Sequence, residues 1–315
     1  MTQKLIAVVG PTATGKTALA IALAQRLSGE IVGADSRQVY RHMDIGTAKP
    51  TAEERSLAPH HLIDVVDPDQ EFSLARYLEL AVAALEDVWS RGKQPLLVGG
   101  SGQYVWGLLE GWRVPRLPPQ RDLRRELEER AARQGAEALH GELAQVDPKA
   151  AARVDPRNVR RVIRALEVHR ATGRPISYWQ EKGPPPWQTL IVGLTCPRQE
   201  LYERIDARVD AMMEAELVDE VRGLLAMGYD PSLASLSGIG YSQVCQHLAG
   251  EFDLATAVAR IKTATHRLAR QQYTWFRLDD GRIRWIDVSL AAPFEEAARL
   301  VESELGLRRR VVHGR

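Results

Sequence analysis

The feature that most restricts how this chain can fold lies within its first two dozen residues. Ile6 to Ala24 reads IAVVGPTATGKTALAIALA. An apolar run ends at Gly10, the stretch Gly10-Pro11-Thr12-Ala13-Thr14-Gly15-Lys16-Thr17 fits G-x-x-x-x-G-K-[ST], and an alanine- and leucine-rich helical segment follows. Strand, glycine-rich loop and helix in that order predict a phosphate cradle. Its glycines turn the backbone so that N–H groups point inward, and the helix contributes its positive end. Lys16 adds a point charge, and the Thr17 hydroxyl is placed to hold Mg2+. Such a cradle recognises a diphosphate or triphosphate and says little about what is attached to it.

The rest of the chain repeats the alternation that the loop begins. KLIAVVG, EIVGAD and QPLLVGG read as short buried strands, and TALAIALAQRL and LARYLELAVAALEDVWSRG repeat apolar residues at helical spacing. The expected fold is α/β, a P-loop NTPase-like parallel sheet with helices on both faces. Its site belongs at the carboxyl ends of the strands, where GPTATGKT, GADSRQVY and GGSGQYVW lie. After GWRVPRLPPQR the chain becomes charged, arginine-rich and strandless up to Pro184-Pro185-Pro186, which predicts a helical insertion. QTLIVGLT then reads as a returning core strand, RQELYERIDARVDAMMEAELVDEVRGLL as helix and IRWIDVS as a last strand. The expected organisation is core at 1–115, insertion at 116–187, core again at 188–290, and a C-terminal helix with a basic tail at 291–315.

At 315 residues and 44% hydrophobic, the chain is long enough to bury its own core. Cys196 and Cys245 have neither C-x-x-C nor histidine spacing around them, against a zinc module or a disulfide scaffold. With no signal-like segment and no apolar run near membrane length, a soluble, cytoplasmic, monomeric protein is expected. A net charge of +1 carries no global sign of nucleic acid, so that evidence must come from where charges cluster.

Several residues are chemical candidates. Asp35 closes the second strand and should face the phosphate loop's crevice as a general base, a partner for an acceptor group, an indirect magnesium ligand or a turn cap. The third strand ends in LLVGGSGQYV rather than in the aspartate with which an ATPase holds magnesium, and Ser101 there is a reactive-site hydroxyl or an N-cap. Between Arg153 and Arg174 lie seven arginines and two acids. Arg157, Arg160, Arg161 and Arg164, at spacings of three and four, predict a basic helix face suited to a phosphate backbone or to plain solvent. RLARQQYTWFR, 267–277, interleaves basic and aromatic residues, for stacking on a base or for core packing. His60 and His61, adjacent on an extended segment, should point to opposite sides and make a poor metal pair.

Taken together, GPTATGKT, DSRQVYRHMDIGTAKP, PHHLIDVVDP, PLLVGGSGQYV, RVIRALEVH, IGYSQ and TWFR, in this order and spacing, resemble the tRNA dimethylallyltransferase (tRNA isopentenyltransferase) family. The resemblance runs from the first strand to about Arg277. It implies that the loop, Gly10 and Thr12 to Thr17, holds the diphosphate of dimethylallyl diphosphate with Arg208, and that Lys16, Asp35 and Ser101 are catalytic. It also implies transfer to the N6 amine of the adenosine just 3′ of the tRNA anticodon, with Asp35 as base and Ser101, where the family usually has threonine, at the bridging oxygen. Contacts to the anticodon stem-loop are implied for Asp35, Ser36, Arg37, Gln38, Arg160, Arg161, Arg164, Gly240, Tyr241, Arg270 and Arg277. Ser242 and Gln271 stand where relatives commonly carry basic residues. Three other readings share parts of the pattern: a P-loop small-molecule kinase, a non-catalytic RNA-binding protein and an isopentenyltransferase acting on free adenylate.

Overall fold

A computed structural model describes residues 3–183 and 187–306; the proline run and the basic tail fall outside the described residues. Chain packing divides the protein into two compact units, Met1–Ser73 with Tyr77–Val105 and Pro186–Arg315, and Leu74–Arg76 with Trp106–Pro185.

The chain opens with β1 (Lys4–Val9), α1 (Lys16–Leu27) and β2 (Gly29–Gly33), then α2 (Ala52–Leu57), β3 (His60–His61), α3 (Leu74–Ser90), β4 (Gln94–Val98) and α4 (Gly102–Leu109). Five helices follow without a strand: α5 (Arg121–Gln134), α6 (Ala136–Val146), α7 (Pro148–Ala151), α8 (Val159–Thr172) and α9 (Ile176–Trp179). The first unit resumes with β5 (Gln188–Thr195), α10 (Arg198–Glu214), α11 (Leu217–Ala226), α12 (Tyr241–Leu248), α13 (Leu254–Trp275), β6 (Ile283–Asp287) and α14 (Pro293–Leu305).

All six strands are parallel, in the order β3-β2-β4-β1-β5-β6. Residues 5 to 9 of β1 are buried on both sides, as a strand between two helical layers must be. The main core joins β1, β4 and β5 to α1, α10 and α14 through Leu19, Leu23, Leu201, Ile205 and Val301. A second core gathers Val39, Met43, Leu217, Val221, Leu224, Tyr241 and Val244. No helix among the described residues is long and apolar enough to cross a membrane.

Two elements depart from the periodicity. β3 is only the histidine pair; His61 Nε2 meets Glu30 Oε2 at 2.7 Å and His60 Nδ1 meets the Ala58 carbonyl at 2.8 Å. The segment expected as one helix from Arg198 breaks at Glu216, which takes the left-handed conformation (φ 69°) between α10 and α11. The break turns Leu217, Val221 and Leu224 into the second core. It also aims the Glu220 carboxylate at the DIG stretch, where it accepts N–H bonds from Asp44, Ile45 and Gly46 (2.8, 2.7 and 3.2 Å) and the Tyr241 hydroxyl at 2.6 Å.

In the second unit, Glu167 of α8 is the buried hub. It accepts the Gln120 N–H (2.7 Å) and bonds from both Arg124 (2.8 and 2.9 Å) and Arg164 (2.6 Å). Burial pushes its carboxyl up, but the two guanidiniums and the amide outweigh that and hold it below its ordinary value.

Candidate active site

At the carboxyl edge of the sheet, three neighbouring strands release three loops at one level, because Val8, Val98 and Gly33 stand in register across β1, β4 and β2. Each loop is tied to the next: Gly99 N–H to Val8 O at 3.2 Å, Ala34 N–H to Val98 O at 2.7 Å, and Ser101 N–H to Ala34 O at 3.2 Å. Above them opens a cavity of about 770 Å³, lined by the phosphate loop, residues 33–38, residues 98–104, α10 and α13.

The phosphate loop has its shape for identifiable reasons. A Cβ on Gly10 would lie 2.4 Å from the Leu194 carbonyl of β5, so only glycine lets the strand end pass. Ala13 adopts a left-handed φ of 65°, and the Thr14 hydroxyl and the Lys16 ammonium both donate to the Pro11 carbonyl (2.9 and 2.6 Å). The Thr17 hydroxyl faces the cavity with no protein partner among the described residues. Burial first, then repulsion from Arg208, pull the Lys16 ammonium down to about 7, with Asp35 opposing. Arg208, on α10, lines the same cavity; burial lowers its guanidinium, against the attraction of Asp35 and Glu54. Two mutually repelling cations thus line one side of the cavity.

Asp35 follows β2 directly. Its Oδ1 accepts the Arg37 N–H at 2.8 Å, as an aspartate at a turn does, and the residue lines the cavity. Capping the turn leaves Asp35 at the cavity wall. The Ser101 Oγ is fixed by the Ser36 N–H at 3.0 Å and lies 3.3 Å from the Ser36 hydroxyl.

Sequence reasoning overlooked Gln272. This buried side chain of α13 reaches under the cavity, its Oε1 accepting the Thr12 N–H (2.8 Å) and its Nε2 donating to the Gly100 carbonyl (3.1 Å). A Cβ on Gly100 would sit 2.2 Å from that Nε2. One amide thereby joins the phosphate loop to the Ser101 loop. Its partners lie some 260 and 172 positions away in sequence, and no local spacing signals it; only its place in RQQYTW offered a hint.

The other expected contact residues divide into those already engaged and those open. Arg37 donates to the Ala234 and Ser235 carbonyls, Gln38 to those of Thr47 and Ala48, and Arg164 to Glu167. The Tyr241 ring is 1% exposed, with its phenol on Glu220, while Gly240 lines the cavity. Arg277 pairs with Asp279 at 2.8 Å. Arg157 precedes α8 and pairs with Asp155. Arg160 and Arg161, on the exposed first turn of α8, have no side-chain partner among the described residues. In the aromatic segment Phe276 is core, the Tyr273 hydroxyl meets Thr195 at 2.8 Å, and Trp275 faces the cavity.

A model of the IPP transferase family matches residues 38–279. A tRNA dimethylallyltransferase from Chloroflexus aurantiacus is 58% identical over 275 residues, 87% of this chain and 93% of that one. Its counterpart from Thermomicrobium roseum is 50% identical over 303 residues, 96% and 92% of the two chains. Among solved structures, the full-length tRNA isopentenylpyrophosphate transferase from Bacillus halodurans aligns with a TM-score of 0.72 and 40% identity, over 96% of this chain and 97% of that one. A eukaryotic dimethylallyltransferase acting on tRNA aligns with a TM-score of 0.83 and 28% identity, over 100% and 82%.

Proposed function

The chain belongs to the IPP transferase family, and from that premise we propose how its own residues carry out the reaction. The protein transfers a dimethylallyl group from dimethylallyl diphosphate to the N6 amine of the adenosine that follows the anticodon of tRNA, releasing diphosphate. The observation that carries the assignment of roles is the order of the three loops: phosphate loop after β1, Ser101 after β4, Asp35 after β2, on strands that are neighbours in that order.

With strands about 4.8 Å apart, β1 and β2 are separated by roughly 10 Å at the sheet edge. A substrate lying across them puts its diphosphate on the phosphate loop, Lys16 and Arg208. Its bridging oxygen then comes near the Ser101 hydroxyl and its first allylic carbon toward Asp35. The C–O bond to the bridging oxygen breaks as the N6–C bond forms, and the pair of electrons leaves with diphosphate. Donors already aimed at that oxyanion lower the barrier, since they need no reorganisation. The adenine amine is a weak nucleophile because its lone pair is delocalised into the ring; Asp35 accepts the proton it loses on alkylation. The target base has to leave its stack to enter, and Trp275 and Tyr104 give the cavity aromatic walls.

Mg2+ fits the donors present. The Thr17 hydroxyl is unengaged, and Mg2+ keeps several waters and takes its remaining ligands from phosphate oxygens rather than from a carboxylate cage. No cluster of three metal-ligating side chains occurs among the described residues. Bound there, the ion would neutralise diphosphate charge. The tRNA partner is supported by the arginines of α8 and by the position of α13 along the cavity.

The test is N6-dimethylallyladenosine formation in unmodified tRNA, with Asp35→Ala beside wild type. Turnover is expected to fall roughly 100-fold or more, as the loss of a general base usually gives, with tRNA affinity retained. Near-normal turnover would remove Asp35 as the base, and ATP consumption without modified tRNA would turn the site into a kinase.

A further inference from the structure

On the opposite side of α13 from the catalytic cavity lies a second recess of about 230 Å³, lined by Thr195, Cys196, Arg198, Leu201, Tyr202, Arg270, Tyr273 and Leu278. Residues three or four apart share a helix face, so Leu268, Gln272 and Trp275 look into the first cavity while Arg270 and Tyr273 look into the second. At its rim two guanidiniums converge on one neutral oxygen: Arg270 Nη1 donates to the Tyr202 hydroxyl at 2.7 Å and Arg198 Nε donates to it at 3.0 Å. Arg198 also lies over the Tyr202 ring, 5.3 Å from its centroid, and that ring stacks on His266 at 4.1 Å.

Neither arginine has a carboxylate partner among the described residues. The nearby acids are engaged elsewhere, Glu200 with Arg204 (2.6 Å), Glu203 with Gln199 (3.1 Å) and Asp206 with His266 (2.9 Å). This sets the pair apart from Arg277, Arg282 and Arg284, each of which has an acid beside it. Arg267, exposed and one turn before Arg270, adds a third positive charge to the same side.

We propose that Arg198 and Arg270, both held by the Tyr202 hydroxyl in the free protein, form a clamp for one backbone phosphate of the tRNA, outside the catalytic cavity. Two charged forks sharing a phenol can exchange that oxygen for a phosphate oxygen, replacing a neutral acceptor with a charged one and gaining charge-assisted bonds. The recess behind them, walled by Leu201, Cys196 and Leu278, gives the attached ribose an apolar surface. RNA is favoured over a free anion because both guanidiniums are exposed on the surface, whereas Lys16 and Arg208 already present buried cations at the phosphate loop. This inference rests on the tRNA reading above.

The experiment measures tRNA binding against salt for wild type, Arg198→Ala, Arg198→Lys and Tyr202→Phe, with dimethylallyl transfer and melting temperature recorded for each. Arg198→Ala is expected to weaken tRNA binding roughly five- to tenfold at low salt and to reduce the slope of log K against log salt by about 0.7 to 0.9, one phosphate's share. The KM for dimethylallyl diphosphate should stay unchanged. Arg198→Lys should recover part of the affinity, and Tyr202→Phe should bind tRNA at least as tightly as wild type. An unchanged slope in a well-folded Arg198→Ala overturns the clamp. Absence of tRNA modification by wild type itself would instead overturn the function on which the clamp rests.

Discussion

Replacing Gln272 with alanine tests whether the phosphate loop is positioned from outside itself. The substitution deletes the acceptor for the Thr12 N–H and the donor to the Gly100 carbonyl in one step. A buried polar group left unpaired costs about 1–3 kcal/mol, so two would cost about 2–6. Both groups border the cavity, where water can replace the amide, which puts the loss near the lower end, about 2 kcal/mol. With an unfolding entropy of about 2.1 cal/mol/K per residue, a chain this long should melt about 3 °C lower. The kinetic effect should be larger than the stability effect. Thr12 moves with the phosphate loop and Gly100 with Ser101, and a misplacement of about 1 Å between reacting groups costs on the order of 100-fold. Steady-state kinetics with dimethylallyl diphosphate varied at saturating tRNA should therefore show kcat/KM down roughly 10- to 100-fold, with tRNA affinity within about twofold of wild type. Gln272→Glu keeps the acceptor for Thr12 but turns a carboxylate oxygen to the Gly100 carbonyl, and should be no better. A melting shift with unchanged kcat/KM would refute the reasoning and leave Gln272 as a fastening of α13 to the sheet.

Two further outcomes follow from groups already described. Lys16 has its ammonium lowered to about 7 and binds diphosphate in its charged form, so affinity should be complete below about pH 7 and fall as pH rises, by at most about tenfold per unit. Calorimetry of diphosphate binding from pH 6.5 to 9, in buffers of different ionisation enthalpy, should show proton uptake that Lys16→Arg abolishes; equal pH profiles for the two would count against it. Glu167→Gln leaves Arg124 and Arg164 without their shared carboxylate; with both guanidiniums about a third exposed, the loss should fall below what a fully buried pair costs, about 3–5 kcal/mol, yet lower the denaturant midpoint of the α5–α9 unit. Because its carboxyl is held below its ordinary value, that contribution should be present above pH 4.5 in wild type and decline on acidification.

What could be read from the sequence depended on how local its cause was. The phosphate loop, five of the six strands and α1 are fixed by glycines and apolar runs within a few residues, and the parallel sheet followed from their alternation. The positions of Asp35 and Ser101 were legible because each stands two or three residues after a strand end. β3 was not, since two residues held by an edge pairing have no period. The bend at Glu216 has no glycine or proline to announce it; it exists because Glu220 must reach Asp44, Ile45 and Gly46 from far along the chain. The arginine-rich face of α8 was visible as a spacing, but the spacing could not tell that Arg164 faces Glu167 while Arg160 and Arg161 face outward. Gln272 is the extreme case, a local glutamine whose significance lies wholly in partners on two other loops.

The sheet edge also explains why a phosphate loop need not imply phosphoryl transfer. In a kinase the atom attacked is phosphorus, so the acceptor must come within bonding distance of the loop's own ligand and a strand-end carboxylate beside it usually serves the metal. Here β4, the strand next to β1, ends in Val98, Gly99, Gly100 and Ser101 without an acid, and the carboxylate appears one strand further out, at Asp35. With Asp35 as the proposed proton acceptor, this sets it about one strand spacing, roughly 4.8 Å, from where a phosphorus-directed nucleophile would need it. In the proposed mechanism, strand order thus accounts for a reacting centre at carbon rather than phosphorus with the same anion cradle, and Gln272 ties the two loops together through Thr12 and Gly100.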